Sequence, residues 1–417
     1  MAGRLGEVVV ALALACATGP AARAQPSDVI SHPGSSPAQA SNAAGRCGVC
    51  HPRERVLFEK SRHAQEDIHC VSCHGGDDRT LDQGVAHGSG FRGRPARSAI
   101  PALCASCHAS EERMRAYNLP VDQFALYQTS GHGRRLASGD TRVAVCSDCH
   151  GAHDILPPSD PASYVFALNV PKTCGRCHGD STLMRPRGRR DAYREYQASV
   201  HAHELFDKGN PRAPTCVSCH GVHGAAPPQV GDVDKVCGQC HTAERRYFVA
   251  GPHREGLTRA GQPECASCHG DHAIQAARPE RLSTLCSQCH GEPSQQARLG
   301  RRLWTEYRAA AQEVDKAAAI LERAEAVPLQ TADYRARLEE ARTYLRESLP
   351  AAHGMNEETV SGFTLRARWV SAEIEHEIYG KLGNLRTRKF VLILFWFYVL
   401  LTILVLRRFR GRATRVE

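Results

Sequence analysis

Cysteine and histidine recur in this chain at one fixed spacing. Two cysteines three apart, followed at once by a histidine, bring two thiols and an imidazole into one short turn, where the thiols can bond to the vinyl groups of a haem and the imidazole can ligate its iron. The signature occurs nine times: Cys47, Cys50 and His51; Cys70, Cys73 and His74; Cys104, Cys107 and His108; Cys146, Cys149 and His150; Cys174, Cys177 and His178; Cys216, Cys219 and His220; Cys237, Cys240 and His241; Cys265, Cys268 and His269; Cys286, Cys289 and His290. Only Cys16 is left unused. An isolated CxxC also suits a zinc knuckle, a redox dithiol or a disulfide scaffold, but none of these needs the histidine. Histidine makes up about one residue in twenty here, so its presence after all nine pairs has a chance probability on the order of 10⁻¹². The expected cofactor is haem c, nine copies, covalently attached.

A second set of histidines sits at regular places between the motifs. After Cys47–His51 the chain reads as four imperfect repeats, each a histidine, a CxxCH, a second histidine and another CxxCH. The leading histidines are His63, His132, His201 and His253, in the contexts FEKSRH, YQTSGH, YQASVH and YFVAGPH. An aromatic residue five or six positions earlier suits a short helix that packs on a haem face and presents the imidazole at its end. The trailing histidines His153, His223 and His272 follow their motif histidine by three residues, in HGAH, HGVH and HGDH. The thioethers and the motif imidazole hold one face of the macrocycle, so a residue three along cannot reach the other face of the same iron. It is expected to ligate a neighbouring haem. The first repeat has HGGD instead, which leaves His87 as the expected second ligand and His69 as the reserve. For any one histidine the competing role is a solvated surface side chain; His203 and His32 read that way.

These motifs carry a resemblance to the exported multihaem c-type cytochromes, a group that includes the class III tetrahaem proteins and the membrane-tethered quinol-linked cytochromes. It covers Cys47 to His290 and is specific for the cofactor, not for a reaction. The eight histidines above fall one short of nine distal ligands. His353, in AHGMN, is the expected ninth: it resembles the histidine before a helix in the C-terminal bundle of octahaem and pentahaem enzymes. His376 is the alternative.

The elements that must position these groups are sparse. Only 6% of the chain is aromatic, and all three tryptophans, Trp304, Trp369 and Trp396, follow the last motif. With roughly 27 residues per motif and little apolar side chain, the region 46–293 is expected to use its porphyrins as core, inside short helices and loops. The expected fold is mainly α with much irregular structure. From 294 to 387 the composition shifts to Ala, Glu, Arg and Leu. Three apolar stripes at helical spacing predict a bundle: Leu303, Tyr307, Val314 and Leu321; Tyr334, Leu338, Ala341, Leu345 and Leu349; Val360, Phe363, Val370, Ile374, Ile378 and Leu382. Pro328 and Pro350 are placed at the breaks. A partner-binding face on this bundle is the alternative use of the same pattern.

Phe390 to Leu406 carries no charge and is followed by Arg407, Arg408, Arg410, Arg412 and Arg415. It predicts a transmembrane helix over 388–408 with a cytoplasmic tail, 409–417, against the alternative of a buried soluble helix. Residues 1–24 read as an export signal cleaved after Ala24, with a lipoprotein cysteine at Cys16 as the alternative, and 25–45 as a disordered leader. The formal charge of +9 would raise nucleic acid or acidic lipid as partners. Two propionates per haem offset it, so no nucleic-acid partner is expected.

Irons held by two imidazoles have no open site, which favours outer-sphere electron transfer over bond-making. The functional expectation is a periplasmic carrier anchored in the inner membrane, passing electrons between the quinone pool or a membrane redox complex and periplasmic or outer-membrane proteins. The alternative is a reductase or oxidase of a small nitrogen or sulfur oxyanion at one open haem, by resemblance to octahaem tetrathionate and nitrite reductases and hydroxylamine oxidoreductase. No motif here is CxxCK, the lysine-ligated variant of some such enzymes. Haem storage, or a wire subunit of a larger complex, is a third class that sequence does not separate from the first.

Overall fold

The structure, a computed structural model, describes residues 44–188, 190–224 and 233–413. The export signal, Cys16, His32, most of the leader and the last four residues lie outside them. The described residues are mainly helical and contain no strand. Two compact units divide at Phe91.

The first unit is built from short helices, among them Cys47–Cys50, Pro52–Phe58, Arg62–Gln65 and Cys70–His74. Its apolar cluster of buried side chains is small, Phe58 against Ala64. The second unit begins with similar short helices. There one cluster gathers Tyr196, Ala202, Leu205 and Ala213. Neither cluster approaches the area that ordinarily holds a domain of this length together.

Three long helices follow: Gln295–Glu325, Ala332–Ala352 and Glu357–Ala413. The predicted stripes meet in their centre, where Val314, Leu321, Tyr334, Leu338, Val370, Ile374 and Ile378 are buried in one cluster. A second cluster joins Leu303, Ala351 and Val360 to Tyr247, so the bundle packs directly on the helix Thr242–Ala250 of the cysteine-rich region. Arg337 ties the second and third helices together by pairing with both Glu373 and Glu377, at 2.8 and 2.9 Å. Ile374 is fully buried at the centre. Ile374→Ala is therefore expected to cost about 2–5 kcal/mol, read as a lower midpoint for loss of helical dichroism.

Two boundaries differ from expectation. Pro350 lies inside the second helix, which runs on to Ala352. The turn after it still closes, with His353 N donating to the Pro350 carbonyl at 3.1 Å. The third bundle helix and the predicted membrane span are one continuous helix of 57 residues, about 85 Å long. No proline follows Pro350, so nothing between 380 and 390 forces a break. The helix is long and apolar enough to cross a membrane: its most apolar 18-residue window has a mean hydropathy of 2.6 and no part of that window is buried.

Candidate functional site

Each CxxCH forms a turn of helix, as in Cys146–His150 and Cys216–His220. Residues three and four apart share a helical face, so the two thiols and the imidazole emerge on one side. The residue between the cysteines helps to close the turn. Asp148 accepts from Val145 N at 2.7 Å, and Ser218 accepts from Thr215 N at 3.0 Å.

Seven of the motif histidines each face one other imidazole. Ring centroids are separated by 6.3 Å for His51 and His87, 6.1 Å for His178 and His132, 6.0 Å for His150 and His223, and 6.4 Å for His241 and His201. They are 5.9 Å apart for His220 and His272, 6.0 Å for His290 and His253, and 6.0 Å for His269 and His353. An imidazole nitrogen ligates a metal at about 2 Å and its ring centroid lies about 1.1 Å behind it, so two imidazoles on opposite sides of one metal ion have centroids about 6.2 Å apart. The seven separations fit one metal ion between each pair. Zinc ribbons would instead gather four ligand atoms around one point. Among the described residues, one set of three or more candidate ligand atoms converges, and it is Glu195, Asp271 and His272.

The pairs obey a rule in the second unit. A leading histidine meets the second motif of its own repeat, as His132 meets His178, His201 meets His241 and His253 meets His290. A trailing histidine meets the first motif of the preceding repeat, as His223 meets His150 and His272 meets His220. His353, at the end of the second long helix, takes the corresponding place opposite His269. The glycine between motif and trailing histidine makes this possible. Gly151, Gly221 and Gly270 have φ of 84°, 79° and 78° with ψ of 170°, 166° and 179°. That region of backbone space is open essentially to glycine alone, and it throws the chain off the motif helix.

The remaining expected ligands lie on or beside the short helices. His63 lies in the first turn of Arg62–Gln65, His74 and His108 end the helices Cys70–His74 and Ile100–His108, and His153 follows Cys146–His150 in a loop. His69 faces carboxylates instead, Asp67 at 3.1 Å and Asp78 at 3.7 Å. His203 pairs with Asp207 at 2.6 Å and His376 is exposed on the third long helix. Burial pushes His108, His132, His150, His201, His220, His223, His253 and His269 below the usual histidine range. Neutral imidazole, the form that ligates a metal, is thereby favoured.

The leading histidines are held differently from the expected manner. Each sits in the first turn of a second short helix, not at the end of the aromatic one. Serine caps three of these four helices: Ser61, Ser130 and Ser199 accept from Ala64 N, Gly133 N and Ala202 N at 3.1, 3.0 and 3.1 Å. The aromatic residue serves as a tether. The Tyr127 and Tyr196 hydroxyls donate to the carbonyls of Ala144 and Pro214, both at 2.8 Å, two residues before the first cysteine of the motif. The serine in KSRH, TSGH and ASVH was the sequence signal for this cap.

Gly300 gave no such signal. A Cβ there would lie 2.4 Å from the Leu282 carbonyl oxygen and 2.6 Å from Cys286 Sγ, so the last motif rests directly on the first long helix. Thiols of successive motifs also come together. Cys47 reaches Cys70, Cys146 reaches Cys104, Cys174 reaches Cys216 and Cys237 reaches Cys265 within hydrogen-bond range. Burial, and after it the neighbouring thiol, Cys174, Cys240 and Cys289 respectively, push the Cys149, Cys219 and Cys268 thiols up. Within each unit the thiols that come together belong to motifs that follow one another in the chain.

No family model matches this chain, and no curated protein or solved structure matches it either.

Proposed function

We propose that the chain is an exported multihaem c-type cytochrome, anchored by its C-terminal helix, that carries electrons between the inner-membrane quinone pool or a membrane redox complex and periplasmic or outer-membrane proteins. One observation carries the reading: imidazoles from CxxCH motifs and imidazoles from outside them stand in pairs 5.9 to 6.4 Å apart. Covalent haem supplies a one-electron couple at each pair. The chain supplies the eighteen motif cysteines, the nine motif histidines and nine distal ligands. His63, His74, His108 and His153 are assigned by their places in the repeats. Two imidazoles per iron leave no position for a substrate, which favours transfer over reduction or oxidation of a small oxyanion.

The haem domain belongs on the periplasmic side and the arginine-rich end in the cytoplasm, on the positive-inside rule. The test is the full chain matured with haem and purified in detergent. Nine covalent haems, all low-spin in the ferric state, are expected. A high-spin haem that binds nitrite, sulfite or hydroxylamine would replace the carrier reading with the enzyme reading. Gly221→Ala probes the pairing rule itself. It is expected to cost about 1–3 kcal/mol and to withdraw His223 from His150, read as one haem in nine turning high-spin.

A further inference from the structure

We propose that Glu195 is the positioning residue for His272, holding that imidazole by its Nδ1 edge so that Nε2 is turned to the metal shared with His220, and lending it negative charge. The inference rests on the haem reading above. Glu195 lies on the helix Ala192–Gln197 and reaches His272 from a different repeat. Glu195 Oε2 and His272 Nδ1 are 3.6 Å apart, and both atoms are buried without a hydrogen-bond partner. Two buried orphans of complementary type facing each other are a hydrogen bond short of closing, and an unmade one is costly. Asp271 Oδ1 lies 3.7 Å from the same nitrogen. Arg190 pairs with Asp271 and stands 3.5 Å from Glu195, so one guanidinium faces both carboxylates beside the imidazole edge.

A ligating histidine whose second nitrogen donates to a carboxylate has a fixed tautomer and greater basicity. A more basic ligand favours the ferric over the ferrous state. The couple at His220 and His272 is thereby set lower than one whose ligand donates to neutral groups. His353 is such a ligand: its Nδ1 faces the carbonyls of Leu349 and Pro350 at 3.2 and 3.1 Å. His241 has Glu244 at 4.0 Å, but its side chain is 57% exposed and that charge is screened by water.

The test is a spectroelectrochemical titration of the full haem-loaded chain and its Glu195→Gln variant, with haem content and spin state measured on both. The amide of the variant would keep an acceptor and lose the charge, so all nine haems should stay low-spin. One ninth of the titration amplitude should move to higher potential while the rest is unchanged. Glu195→Asp should return most of that shift. A Glu195→Gln titration that superimposes on the parent would overturn the proposal, as would a shift shared by all nine. A parent protein without nine low-spin haems would instead sink the haem reading on which the proposal stands.

Discussion

On the proposed haem reading, replacing His353 with alanine is expected to turn one ninth of the ferric haem high-spin and open it to small ligands such as nitrite, leaving eight ninths unchanged. The bundle contributes this imidazole from the end of its second helix, 6.0 Å from His269 and tilted 20° from it. Backbone carbonyls hold its Nδ1, so Nε2 is the nitrogen left for the metal. His376, the other candidate, is exposed on a different helix and cannot take over; His376→Ala should leave the spectrum as it is. His353→Met separates loss of a ligand from loss of fold. A thioether in the same place should keep the haem low-spin and raise its potential. An unchanged spectrum in His353→Ala would mean that another group ligates opposite His269, and the assignment of the bundle as a ligand donor would fail. The effect should be large because the substitution removes one of only two axial groups, while Ala351 and Ala352 beside it keep the bundle packed on Tyr247.

Why was so much of this arrangement legible in the sequence? The motif spacing, a covalent requirement on the haem reading, leaves a pattern that no packing argument could blur. That a trailing histidine meets the imidazole of another motif rather than its own was also legible, because only three residues separate it from its own motif histidine. His223 facing His150 and His272 facing His220 have that geometry. The bundle stripes could be read because burial in a helix imposes a period, and Val314, Leu338 and Ile374 fall on it.

Contacts between distant segments could not be read. Glu195 looks like any surface glutamate in AYREYQ until the fold brings His272 to it from another repeat. Gly300 sits in a helical run where glycine merely lowers propensity, and only the approach of Cys286 explains it. The serine caps were written in the sequence but were obscured by the aromatic residues beside them. Tyr127 and Tyr196 suggested ring packing, and their hydroxyls also bond to backbone. The break expected at Pro350 falls a few residues later, between Ala352 and Glu357.

Deleting residues 388–417 is expected to move the protein from the membrane to the soluble fraction with its haem spectrum intact. The buried bundle cluster ends at Ile378, with Leu382 packed on its margin. From Phe390 to Leu406 nearly every side chain is exposed, Phe397 and Tyr398 at 67% among them. Fourteen of those seventeen residues are Leu, Ile, Val or Phe, each favouring the bilayer centre by about 0.3–0.6 kcal/mol, for a total of about 4–8 kcal/mol. The uncharged run is about 25 Å long, shorter than a hydrocarbon core of about 30 Å. Arg388 and Lys389 at one end and Arg407 and Arg408 at the other can extend their charged tips to the interface and make up the difference. The full chain should therefore resist extraction by high salt and by alkaline carbonate, and yield only to detergent. Release by salt alone would show that the helix lies on a surface by charge. If the truncated protein stayed with the membrane, the anchor would have to be sought elsewhere in the chain.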